Sequence, residues 1–271
     1  MEGVLRGTWV IAYRELLRFF RERTRIVSSF AMPLIFLVIF GEGLSRSMGN
    51  LTPGIDFIQF MYPGIIAMTV FMNSIGSGIS VVWDREFGFL KEVLVAPLSP
   101  SGIVFGKALG GTTVALMQGL VMLALAPAVG VSISFTLVLK LVPLLVVLAL
   151  TLSGFGLIIA SRMRSQQSFQ LVFQVIVFPL NFLSRIFFPV NNVPTWMEVI
   201  SKLNPLTYGV DAIRRLFLAG RIGGHELPGG SPLIGVRVFG HTTTGLEDIA
   251  IVAVIGLLLL GVATLSFGRQ D

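Results

Sequence analysis

FMYPGIIAMTVFMNSIGSGISVV, residues Phe60 to Val82, runs without a single charged side chain. A helix needs about 20 apolar residues to cross about 30 Å of hydrocarbon, and this stretch meets that length. Comparable runs follow the same rule at Ile26 to Leu44, Ile103 to Val129, Leu141 to Ala160, Phe169 to Phe188 and Ile249 to Phe267. The sequence therefore predicts an all-α integral membrane protein of six transmembrane helices. Long unbroken runs exclude the alternating pattern of barrel strands, and backbone in lipid must satisfy its own hydrogen bonds.

Composition agrees. The 271 residues are 54% hydrophobic and 13% charged, with a mean hydropathy of +0.86, too apolar for a soluble chain to cover its surface. There is no cysteine, so disulfide and thiolate chemistry are excluded. The net charge of +6 fits attraction to anionic lipid better than nucleic-acid binding.

Basic residues cluster before the first run (Arg6, Arg14, Arg18, Arg21, Arg23, Arg25), after the second (Arg85, Lys91, Lys107), after the fourth (Arg162, Arg164) and at the C-terminus (Arg269). The positive-inside rule puts these segments, and both termini, on the cytoplasmic side of a cell membrane. The first apolar run has no small-residue cleavage site, so no removable signal peptide is expected.

Leu5 to Arg25 reads as an amphipathic interfacial helix. Leu5, Trp9, Ala12, Tyr13, Leu16 and Phe20 share one face, with Arg14, Arg18, Arg21 and Arg25 opposite. It suits a membrane-surface anchor or a docking face for a soluble partner. After the second run, Arg85-Glu86-Phe87-Gly88-Phe89-Leu90-Lys91-Glu92-Val93-Leu94 reads as a short amphipathic helix of mixed charge, stopped by Pro97.

The fifth run is amphipathic through its depth. Gln166, Gln167, Gln170, Gln174, Asn181, Ser184 and Arg185 fall within roughly a 100° arc of a helical wheel, with Leu171, Val172, Val175, Ile176, Leu183 and Ile186 on the rest. Polar groups are costly against lipid, so this face meets either other helices or a hydrated path. Asn73, Ser74, Gly76, Ser77, Gly78 and Ser80 in the second run, and Gly106, Gly110 and Gly111 in the third, permit close helix approach. Pro194 to Leu218 splits at Asn204-Pro205 into two pieces too short to span. Gly220 to Gly245 reads as an exposed loop, with a short strand pair around Ile234 to Phe239. His225 and His241 stand apart from other ligand types, so no metal site is expected.

The Arg85 to Leu94 segment, followed by Ala96-Pro97-Leu98-Ser99-Pro100 and Gly106-Lys107, resembles the loop between spans two and three of type-2 ABC exporter permeases, such as daunorubicin-resistance and polysaccharide or lipid exporters. Downstream, Phe187-Phe188-Pro189-Val190, Val193-Pro194-Thr195-Trp196, Leu203-Asn204-Pro205-Leu206-Thr207-Tyr208-Gly209 and Ala212-Ile213-Arg214-Arg215 resemble that family's signature between spans five and six. The resemblance implies one permease domain over 1–271. It comprises an amphipathic connecting helix (1–25), spans one to five (26–188), an outer re-entrant hairpin and loop (189–246), and span six with the C-terminus (247–271).

It further implies a cytoplasmic coupling helix seated on a separate ATPase, matched by Arg85, Glu86, Phe87, Gly88, Leu90, Lys91 and Glu92. The translocation path would be bordered by Asn73, Gln170, Gln174, Asn181 and Arg185. The outer hairpin would carry Pro189, Pro194, Trp196, Asn204, Pro205, Tyr208 and Arg214. Arg185 departs from the family pattern, which usually has a small residue there, often Gly. Two ATPase copies and a second permease copy, identical or homologous, would complete the assembly in the lipid bilayer, with ATP and Mg on the ATPase. The chain has no Gly-x-x-x-x-Gly-Lys-Ser/Thr loop and no catalytic constellation of its own, so it is not expected to be an enzyme. The rival reading is an ion-coupled secondary transporter, which would want intramembrane carboxylates; apart from Glu42 near one end, the apolar runs have none.

Overall fold

The computed structural model describes residues 2–48, 50–52, 55–88, 100–187, 194–218, 226–227, 231–232, 234–238 and 241–268. Within them the chain forms α1 (Glu2–Arg21), α2 (Arg23–Met48), α3 (Phe57–Gly76), α4 (Ile79–Glu86), α5 (Pro100–Leu125), α6 (Phe135–Arg162), α7 (Gln166–Leu183), α8 (Thr195–Leu203), α9 (Pro205–Leu218) and α10 (Gly245–Gly268). Three small antiparallel ladders join Asn50–Thr52 to Ile55–Asp56, Glu226–Leu227 to Ser231–Pro232, and Arg237–Val238 to His241–Thr242. The first strand of the last ladder falls within Ile234 to Phe239, where the sequence predicts a strand pair, and its partner lies just beyond that stretch.

Among the described residues, four stretches are long and apolar enough to cross a membrane: Phe57–Glu86, Ser101–Val129, Phe135–Arg162 and Gly245–Phe267. A fifth joins them if Gly7–Arg21 and Ile26–Gly41, bent by 74°, count as one crossing. The sequence predicts six. The difference lies in α7, which carries four glutamines and an asparagine in 18 residues and is not among these stretches. It also stops at Leu183, five residues short of the expected Phe188.

α3 is the centre of the bundle. From Phe60 to Phe71 every side chain is buried, and α5, α6, α2 and α9 pack around it. Tyr62, in the middle of α3, donates its hydroxyl to the Met122 carbonyl of α5. α10 lies on α6 and leaves Val254, Leu257, Leu258 and Leu265 exposed, an apolar face suited to lipid.

Small residues set the helix spacing. Any Cβ on Gly156 of α6 would strike the backbone of Ile75, and one on Gly78 would meet the Gly156 carbonyl oxygen at 2.5 Å. The two backbones pass in contact where α3 gives way to α4, so only hydrogen fits at either position. Gly106 and Gly110 do the same for α1: added Cβ atoms would lie 2.8 Å from Ile11 Cβ and 2.7 Å from Glu15 Cβ.

That seat revises the reading of α1. The wheel puts Ala12 on one stripe with Trp9 and Tyr13, but the helix has two apolar surroundings. Ile11, Ala12 and Phe19 are buried, whereas Trp9, Tyr13, Leu17 and Phe20 stay exposed. Arg14 and Arg18 leave the expected solvated stripe. Arg14 pairs with Asp84 of α4, and Arg18 stacks over the Trp83 ring at 4.0 Å.

Gly156→Ala should therefore lower stability by about 1–3 kcal/mol, the usual cost of overpacking a tight contact. Gly261→Ala on α10, where nothing stands within 4 Å of the added carbon, should be close to neutral. Thermal unfolding of the two variants in detergent checks the contrast.

Candidate functional site

α2, α3 and α7 enclose an open groove of about 770 Å³. Ser28 and Ser29 stand on its α2 wall, Asn73 on α3, and Phe173, Gln174 and Phe178 on α7. A second hollow of about 300 Å³ continues from Asn73 and Phe173 toward Gln170, Trp83 and Glu22. The helical period builds this surface: Gln170, Phe173 and Gln174 are three and four residues apart and so share a face of α7. Asn73 is oriented by donating its amide to the Thr69 carbonyl at 2.8 Å.

The α2 wall is fixed from behind. Gln118 of α5, buried at 2% exposure, donates to Ser29 Oγ at 2.6 Å, and Ser29 donates to the Ile26 carbonyl at 2.7 Å. The sequence reading passes over Ser28, Ser29 and Gln118. The signal was present at Gln118, a lone amide inside the apolar run Ile103 to Val129.

The five residues expected on one path are brought together only in part. Asn73 and Gln174 line the groove, and Gln170 lines the adjoining hollow that Asn73 also borders. Asn181 turns away from it, is 1% exposed, and directs its amide at Met72 Sδ, 3.6 Å away. Arg185 is off the helical wheel altogether, because α7 ends at Leu183 and Arg185 itself has φ +65°. A left-handed residue after a helix is usually Gly, which explains the small residue expected there. Here Arg185 donates to the Gly235 carbonyl at 2.7 Å instead.

Arg185 belongs to a buried polar cluster at the α7 terminus. Arg214 of α9, wholly enclosed, donates to the carbonyls of Phe60 (3.2 Å), Arg185 (2.8 Å) and Ile186 (3.3 Å), with its guanidinium 3.8 Å over the Phe60 ring. Asp211 accepts from Gly235 N at 2.7 Å and Arg215 Nε at 2.8 Å, and Arg215 also faces Asp248 at 3.5 Å.

The other expected hairpin residues frame the α8–α9 break. Pro194 immediately precedes α8, Trp196 is 60% exposed, Pro205 begins α9, and Tyr208 donates to the Lys202 carbonyl at 2.8 Å. Asn204 sits between the helices. Its Oδ1 accepts from Leu206 N at 3.0 Å while its amide donates to the Leu180 carbonyl of α7 at 2.8 Å. Pro189 lies outside the described residues.

At the opposite end of the groove, Lys107 of α5 is buried and donates to Glu15 (2.8 Å), Ser80 (3.0 Å) and Asp84, while Arg14 also reaches Asp84. Arg18 adds pairs to Asp84 (4.0 Å) and Glu22 (3.5 Å), so three cations meet three carboxylates, and this balance is what lets Lys107 leave water. Of the residues expected to face an ATPase, Arg85 donates to the Ser161 and Met163 carbonyls of α6, and Glu86 accepts from Gln166 N of α7. Phe87 is 75% exposed, followed by Gly88 at φ +76°, a turn that glycine makes without strain. Leu90, Lys91 and Glu92 lie outside the described residues.

Comparison with known proteins agrees with this architecture. The ABC-2 type transporter family model matches residues 6–218. The transport permease ycf38 of Cyanophora paradoxa is 30% identical over 214 residues, covering 77% of this chain and 73% of its own. The inner membrane transport permease YadH of Escherichia coli K12 is 28% identical over 224 residues, 79% of this chain and 82% of its own. A third relative, YbhR of the same strain, named for multidrug ABC transport, is 33% identical over 168 residues, 61% of this chain and 45% of its own.

The chain lacks cysteine, so single thiols report on the groove cleanly. Cysteines replacing Gln170 and Gln174 should react with a small charged thiol reagent roughly tenfold or more faster than cysteines replacing Asn181 and Leu183, 1% and 7% exposed. Equal rates at all four positions would mean that the groove is closed to water.

Proposed function

The chain belongs to the ABC-2 type transporter family, and on that premise we propose that it is the permease subunit of an ATP-driven exporter whose substrate moves along the α2–α3–α7 groove. The family's membrane subunits are not themselves catalytic. ATP and Mg bind on a partner ATPase, with two copies of each subunit in the working assembly.

The observation that carries this reading is the groove itself. A wall bearing Ser28, Ser29, Asn73, Gln170 and Gln174 stands beside Phe173 and Phe178. Such a surface offers hydrogen bonds to a polar headgroup and apolar contact to its tail. The substrate class it fits is amphipathic: a drug, a lipid, or a lipid-linked glycan. Leu171, Val175 and Phe178 are 59%, 73% and 51% exposed beside the opening, a rim suited to lipid or to a second permease copy.

Six crossings result when α2 and α7 are counted with the four long spans, α2 because it follows the bend after α1 and α7 because its polar face looks into the groove rather than at lipid. Both termini are then cytoplasmic, in the inner or plasma membrane, with α1 along the interface, the α8–α9 pair re-entering from outside, and α4 pointing toward the ATPase. The exposed Phe87 at the end of α4 is the kind of aromatic anchor that fills a partner pocket.

Purification in mild detergent should bring down an ATPase, and native mass measurement should give two permeases with two ATPases. Phe87→Ala should weaken that association by roughly thirtyfold, the loss of one hot-spot aromatic. A transport-competent assembly with one permease chain and no ATPase would overturn the reading.

A further inference from the structure

Three consecutive charged residues end α4, and each ties it to different helices. Asp84 is buried between Arg14 of α1 and Lys107 of α5. Arg85 donates to the Ser161 and Met163 carbonyls where α6 ends, at 3.0 and 2.6 Å. Glu86 accepts from Gln166 N, the first amide of α7, at 3.0 Å. The 100° step of the helix spreads the three side chains to three directions.

The link to α7 differs from the other two. The first amides of a helix have no partner within it and carry positive charge, so a carboxylate is favoured there. α7 has no acidic residue in its own first turn, and its cap Ser165 accepts from Ser168 N. Glu86 supplies the missing charge from another element. Its hydrogen bond is exposed, whereas Asp84 is buried. Of the three ties, the one to α7 is therefore the easiest to shift.

α7 is also built to pivot. Its midsection faces the groove on one side and leaves Leu171, Val175 and Phe178 uncovered. Its far end is gripped through the backbone, by Asn204 at the Leu180 carbonyl and by Arg214 at the carbonyls of Arg185 and Ile186.

We propose that Glu86 is a positioning residue that couples the α4 terminus to α7, so that displacement of the Arg85–Glu86 end of α4 by the partner ATPase swings the groove-lining helix about its Asn204–Arg214 end. The assignment rests on the permease reading above. It moves Glu86 from contact with the partner subunit to a contact within the chain.

The test uses the complex with its ATPase in lipid vesicles and a single cysteine replacing Gln174 as reporter. The probe is a charged methanethiosulfonate reagent, and its rate is compared without nucleotide and with ATP and vanadate. With Glu86 present, trapping nucleotide should change the rate. Glu86→Ala should shrink that change about threefold, the population effect of losing one helix-cap hydrogen bond. Glu86→Gln, whose amide oxygen still accepts from Gln166 N, should keep most of it. An undiminished response in Glu86→Ala overturns the proposal, as does a response in Glu86→Gln as poor as in Glu86→Ala. Loss of the ATPase from purified Glu86→Ala complex also overturns it, by making Glu86 a partner contact. Failure of nucleotide to change the rate even with Glu86 present removes the permease reading and this inference together.

Discussion

Hydrocarbon offers no hydrogen bonds, so each place where a helix of this bundle stops or breaks must find its partners in protein. The long side chains at such places reach for backbone. Arg85 takes the last carbonyls of α6, Arg214 those beyond the end of α7, and Asn204 the Leu180 carbonyl while capping α9. Tyr62 spends its hydroxyl on the Met122 carbonyl. Much of what looks like a supply of binding groups in the sequence is thus committed to holding helix ends. What is left over, chiefly Asn73, Gln170 and Gln174, lines the groove.

The same division explains how the site could be read and where reading stopped. A helical wheel assumes a continuous helix and a single environment along it. Both hold from Gln166 to Gln174, where spacing alone brings the polar residues together. Both fail beyond Pro179, since α7 ends at Leu183 and the bundle closes around Asn181. Nothing in the local sequence marks Arg185 as left-handed, because its conformation is held by Gly235 and Arg214, 50 and 29 residues away in the chain. The α8–α9 break, by contrast, was legible at Asn204-Pro205, since the signal is carried by the two residues that make it.

The apolar runs behave in the same way. α3, α5, α6 and α10 announce themselves by length and hydropathy, which are properties of the segment alone. The Gly156–Gly78 pass could be anticipated as small residues but not as a pair, since which glycine meets which depends on the register between α3 and α6. Asp84 and Glu15 escaped notice for the same reason: their partner Lys107 sits on another helix, and sequence shows charges without showing their pairing.

The wholly enclosed Arg214 also bears on how the chain is made. With Asp211 and Arg215 beside it, α9 is too polar to enter lipid by itself. Every acceptor that Arg214 uses, on Phe60, Arg185 and Ile186, is translated before it. During N-to-C synthesis the three acceptors for this arginine have therefore been made when α9 emerges, while Gly235, which holds Arg185, is still to come. α9 docks onto an existing assembly of α3 and α7, which makes it a late keystone of biogenesis rather than an independent insertion unit.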